Sequence, residues 1–127
     1  MSLIDMDEQK RLIISALAEF LESAKDDEEK GRIKSAITMY FKTLVESCDL
    51  LIYNQILKVP INHTDRFELL EKFFPDIYNK VSPLFKIYRK TYSQKVEKED
   101  LEKVKNGTLA LIKETEINAG LQELSKK

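Results

Sequence analysis

From Arg32 to Val59 the chain runs without a single glycine or proline, and its apolar residues recur at helical spacing throughout. Ile33, Ala36, Ile37, Tyr40, Phe41, Leu44, Cys48, Leu51, Ile52 and Ile56 fall on one stripe of a 3.6-residue period. A helix of that length cannot hide its stripe alone, so other helices must cover it. This predicts a long helix from about Glu28 to Leu57.

The segments around it repeat the pattern. Ile13, Ala16, Leu17, Phe20, Leu21 and Ala24 predict a helix from about Asp5 to Asp26, with Asp5 and Asp7 as N-terminal caps. The acidic run Asp26-Asp27-Glu28-Glu29 reads as the turn into the long helix, its carboxylates at a helix N-terminus. Val59-Pro60-Ile61-Asn62-His63 breaks the long helix, and Thr64 or Asp65 is expected to cap a short third one carrying Phe67, Leu70, Phe73 and Phe74. Pro75 suits the start of a fourth helix, whose buried stripe is Val81, Leu84, Phe85, Tyr88 and Tyr92. Pro83 should kink that helix or mark a late start. A fifth begins near Lys98 or Glu99 and carries Leu101, Val104, Thr108, Leu111 and Ile112. Asn106-Gly107 lacks the alternating flanks of a hairpin, so that helix is expected to continue, or bend, around a small packing residue. The polar tail after about residue 117 should fray. The expectation is one all-α domain over 1–127: an up-and-down antiparallel bundle of four main helices plus one short helix.

Composition narrows function mostly by exclusion. The net charge of -1 does not mark the whole chain as a polyanion binder. The single cysteine, Cys48, falls mid-helix on the apolar stripe and reads as a buried structural thiol. His63 is the one histidine, so no ligand set for a metal is visible, and it reads first as a residue ordering the loop before the third helix. There is no phosphate-cradling glycine loop, and no cofactor is expected. No apolar run approaches a membrane span, and no secretion signal is visible, so the cytoplasm is the expected location. Charge is nevertheless uneven. Between Lys80 and Val96 stand Lys80, Lys86, Arg89, Lys90 and Lys95 with no acid among them, whereas residues 19 to 29 hold Glu19, Glu22, Asp26, Asp27, Glu28 and Glu29. Lys86 and Lys90 point away from the apolar stripe. Arg89 falls at its edge, where its guanidinium either reaches a phosphate or carboxylate or serves as an ordinary surface arginine.

Three pieces, in order, carry a resemblance. The first is Gly31-Arg32-Ile33-Lys34-Ser35-Ala36 leading to Tyr40-Phe41-Lys42-Thr43-Leu44, at the start of the long second helix. The second is Pro60-Ile61-Asn62-His63 followed by Leu69-Leu70, the loop into the third. The third is Leu84-Phe85-Lys86-Ile87-Tyr88-Arg89-Lys90-Thr91-Tyr92, a late helix carrying an arginine. Together they resemble the matching elements of the HEPN superfamily of small helical bundles from prokaryotic nucleotide- and RNA-related systems. The archaeal PaREP group is similar as well. Members include partners of minimal nucleotidyltransferases and toxin ribonucleases of toxin-antitoxin systems. The resemblance implies a homodimer with Arg89 near the two-fold cleft, Lys86 and Lys90 adding attraction, Tyr92 shaping the site and His63 a further ligand-binding candidate. Ribonuclease members carry a histidine after the arginine, with four to six residues between the two; here the positions where it would fall hold Gln94, Lys95 and Val96. None of these replaces an imidazole as acid or base. The expectation is therefore a non-catalytic module binding a nucleotide, RNA or a nucleotidyltransferase, with a divergent metal-independent ribonuclease and a plain protein-protein interaction subunit as alternatives.

Overall fold

The structure, a computed structural model, describes residues 3–119 and the side chains of residues 8–115. Five α-helices follow one another: α1 (Leu3–Glu29), α2 (Ile33–Ile56), α3 (His63–Phe73), α4 (Pro75–Lys90) and α5 (Lys98–Ala119). No strand occurs among the described residues. The expected bundle of four main helices and one short helix is the observed architecture.

α2 is the axis of the molecule. α1 and α5 make the broadest contacts with it, and α3 and α4 pack on it and on each other. Because neighbours surround it, burial spreads beyond the one stripe. Every residue from Ser47 to Tyr53 is buried, including the polar Ser47 and Asp49. Cys48 is among them, and burial pushes its thiol well up, which keeps it an inert packing group.

The acidic run does not open α2. It forms the last turn of α1, and the connection is Lys30-Gly31-Arg32. Gly31 adopts the left-handed conformation, with φ 76°. Its N–H bonds the Glu28 carbonyl at 3.1 Å, and the Arg32 N–H bonds the Asp27 carbonyl at 2.9 Å. That is a Schellman cap, which needs a residue free to take positive φ. Carboxylates at a helix C-terminus oppose its dipole, and Asp26, Asp27 and Glu28 are each compensated by a specific partner. Asp26 pairs with Lys30 at 2.9 Å, and Asp27 pairs with Arg32 at 3.3 Å and accepts from Ser35 Oγ at 2.6 Å. Glu28 accepts from the Tyr40 hydroxyl at 2.6 Å and from Lys105 Nζ at 2.9 Å, so one carboxylate joins α1, α2 and α5. These contacts hold its pKa below the ordinary value, with the Lys105 and Tyr40 hydrogen bonds as the leading causes.

Other boundaries also shift. α1 begins at Leu3, so Asp5 and Asp7 lie inside its first turns rather than at a cap. The cap of α3 is Asn62, not Thr64 or Asp65: Asn62 Oδ1 accepts from the Asp65 N–H at 2.8 Å, and Asp65 Oδ2 accepts from the Ile61 N–H at 3.0 Å. Asp65, three residues inside the helix, thus answers Asn62 by holding the residue before the cap, a variant of the capping box. α4 starts at Pro75 and runs through Pro83, which sits mid-helix and so marks no late start. The helix stops at Lys90, and Tyr92 lies in the following turn, 73% exposed rather than on the buried stripe.

α5 runs unbroken through Asn106-Gly107. A Cβ at Gly107 would run into Leu84 Cδ1 of α4, so the missing side chain lets the two helices approach. Gly107→Ala gains about 1 kcal/mol of helix propensity but overfills the contact by about 1–3 kcal/mol. We predict a net loss of about 1 kcal/mol by chemical denaturation. A variant more stable than the parent would show that Leu84 swings aside freely. The tail from residue 120 onward lies outside the described residues. No helix among the described residues is long and apolar enough to cross a membrane.

Candidate functional site

At one flank of α2 the aromatic residues of three helices converge. Phe41 of α2 stacks on Tyr88 of α4, with ring centroids 4.5 Å apart and planes within 10°. Phe85, three residues before Tyr88, stacks on Phe67 of α3 at 5.0 Å. His63 opens α3 and faces the same cluster, 5.2 Å from Phe85 and 6.2 Å from both Phe41 and Phe67. Helical spacing explains the assembly, because residues three or four apart share a face: His63 with Phe67 on α3, and Phe85 with Tyr88 on α4.

His63 is held by charge as well as by rings. Arg66, one turn further along α3, reaches Asp49 of α2 with Nε at 2.6 Å from Oδ1 and Nη2 at 3.0 Å from Oδ2. Both side chains are buried, so this is a two-pronged ion pair inside the bundle. Burial pushes the Asp49 carboxyl up, against the pull of Arg66. The remaining guanidinium nitrogen, Nη1, stands 2.8 Å from His63 Nδ1. Arginine only donates, so Nδ1 must accept, and the neutral ring carries its proton on Nε2. Burial and the nearby guanidinium both hold His63 below its ordinary pKa. The chain Asp49–Arg66–His63 therefore fixes His63 as a neutral donor through Nε2.

Beside this chain a pocket of about 270 Å³ opens between α1, α2, α3 and α4, with Phe20, Lys42, Glu46, His63 and Tyr88 in its wall. Lys42 and Glu46 are one turn apart on α2. The Lys42 ammonium lies over the Phe20 ring, 5.7 Å from its centroid, a cation–π position. Glu46 is pushed up to about 7, first by burial and then by the charge of Asp49, with Arg66 opposing. Near neutral pH it therefore both donates and accepts hydrogen bonds. Tyr88 is pushed up to about 12 by burial and by its 2.6 Å hydrogen bond to the Tyr92 hydroxyl.

The residues singled out in the sequence divide in two. Arg89 is exposed, and its guanidinium lies 6.0 Å from the centre of the Phe85 ring. Arg89 and His63, far apart in the chain, thus pack against one ring. Tyr92 joins them through Tyr88. Lys86 is exposed on α4. Lys90 turns instead to Asp100 at 3.0 Å, the same carboxylate that accepts from the Glu97 N–H at 2.9 Å and closes the start of α5. Its charge is largely spent on that cap. Asp49, Arg66, Lys42 and Glu46 were not anticipated. Asp49 alone left a signal, as the only charged residue between Ser47 and Tyr53.

Among the described residues no group of three or more His, Cys, Asp or Glu could hold a metal ion. The site brings together aromatic faces, a donor imidazole, a carboxyl pushed up toward neutrality and the ammonium of Lys42. No protein-family model, curated protein or solved structure matches the chain.

Proposed function

We propose that the chain is a non-catalytic, HEPN-like module of the cytoplasm that binds RNA or a nucleotide. We further propose that it works as a homodimer and that a minimal nucleotidyltransferase is a natural partner. The observation that carries the reading is the junction of the pocket with α4: rings that can stack a base lie next to the ammonium of Lys42 and the exposed guanidinium of Arg89. Stacking on aromatic faces with cations along the backbone is the general physics of single-strand binding. A fluorescently labelled single-stranded RNA, followed by anisotropy, tests it. With about three phosphate contacts, affinity should fall about tenfold to twentyfold between 50 and 200 mM salt. Arg89→Ala should weaken binding about fivefold to tenfold and flatten the salt slope by about 0.7. Affinity indifferent to salt and to Arg89→Ala would sink the proposal.

One observation favours a second reading, a metal-independent ribonuclease: His63 and Arg89 share the Phe85 ring although the sequence separates them. RNA recovered intact from the same incubations removes that reading, and cleavage abolished by His63→Ala establishes it.

A further inference from the structure

The pocket between Lys42 and Glu46 has a more specific complementarity. We propose that it takes a guanine base, with the Glu46 carboxylate accepting from the base's N1–H and N2–H, Lys42 Nζ donating to O6, and the rings of Phe20 and Tyr88 in the enclosing wall. This rests on the nucleotide- or RNA-binding reading above and names what the site reads.

Three features carry it. The volume, about 270 Å³, lies just below the usual range of drug-sized ligand pockets, which suits one base rather than a dinucleotide. The polar groups are a carboxyl and a cation one helical turn apart, so an acceptor and a donor stand side by side on one wall. Guanine alone among the four bases presents two adjacent N–H donors next to a carbonyl acceptor on one edge. Adenine offers one donor beside a ring acceptor, and the pyrimidines offer no adjacent donor pair. Bases splayed from single strands are recognised by such edge contacts combined with stacking.

The charge state of Glu46 gives the proposal its sign. The groups that face it are Lys42 and Asp49 on α2, His63 and Arg66 on α3, and Tyr88 on α4. His63 is held below its ordinary value and Tyr88 far above neutrality, so Glu46 is the group that changes charge near pH 7. Two donors favour the carboxylate form. Guanine should therefore bind more tightly as pH rises through about 7. Adenine would do the reverse, because only a protonated carboxyl can donate to its N1 while accepting from its amine.

Calorimetric titration of the full chain with GMP, IMP, AMP, CMP and UMP at pH 6 and pH 8 tests this. We expect GMP to bind about tenfold to a hundredfold more tightly than AMP at pH 8, the range of a good bidentate base contact. The margin should shrink at pH 6, and IMP, which lacks the N2 amine, should fall between. Glu46→Gln should abolish the preference and its pH dependence. Lys42→Met, at an exposed position, should weaken GMP about tenfold, and circular dichroism shows whether each variant is folded. A short oligouridine with and without one central guanosine separates the sources: preference in the oligonucleotide without GMP binding means the base arrives in RNA, and supports the proposal. Equal affinity for all bases, an AMP preference strongest at pH 6, or a folded Glu46→Gln that keeps the guanine preference overturns it. Salt-dependent RNA binding without guanine preference overturns the pocket assignment alone. Loss of all RNA binding overturns the broader reading as well.

Discussion

Arg66→Ala is expected to destabilise the fold by about 3–5 kcal/mol, the usual cost of stranding one partner of a buried ion pair. Asp49 is enclosed by α2, α3 and their neighbours and takes both of its short hydrogen bonds from Arg66. Without the guanidinium the carboxylate must stay charged in a poor solvent or take up a proton. Urea denaturation reads this as a midpoint lower by about 1–3 M. A paired replacement, Arg66→Met with Asp49→Leu, removes both charges and should recover most of the loss, since apolar residues often replace such pairs at little cost. A loss under about 1 kcal/mol for Arg66→Ala would mean that water reaches Asp49. The single variant also frees His63 Nδ1, so the tautomer fixed in the native protein would no longer be imposed.

Phe41→Ala is the second large effect expected, again about 3–5 kcal/mol, as for deletion of a large aromatic side chain from a packed core. Phe41 is almost wholly buried and holds Tyr88 by face-to-face stacking. Thermal melting followed by circular dichroism should show a midpoint lower by about 10 °C or more. Because Phe41 also borders the candidate pocket, Phe41→Leu is informative: it keeps most of the packing and removes the flat support beneath Tyr88. Melting only slightly earlier while nucleotide binding drops would separate the ring's part in the core from its part in the site. If binding followed stability in both variants, the stack would be structural alone.

Helix identity was legible because period and punctuation agreed. The stripe of α2, the breaker at Val59-Pro60 and the N-terminal proline of α4 all signalled through local spacing. The acidic turn misled because Asp26-Asp27-Glu28-Glu29 is favourable by dipole at a helix start. Only the tertiary partners Lys105 and Tyr40, together with the left-handed Gly31, show why it ends α1 instead. Tyr92 misled in a similar way, since helical spacing continues on paper after the backbone has left the helix. The site was half legible. Arg89 stood out through charge, and His63 through being the only imidazole. The link between them is a ring on a third position, Phe85, and such adjacency has no periodic signature. Asp49–Arg66 spans two helices and depends on burial that only packing creates.

Glu28 bears on how the chain assembles. Its bond with Tyr40 joins residues 12 apart, whereas its bond with Lys105 joins residues 77 apart. The first belongs to a helical hairpin closed by a three-residue turn, the kind of local structure that forms early in small helical domains. Loop-closure entropy grows slowly with length, so the second costs only modestly more once α5 docks. On that order of events a carboxylate already oriented by a tyrosine is ready for its distant lysine. Docking of α5 on α2 is then the step that ties the last turn of α1 to α5.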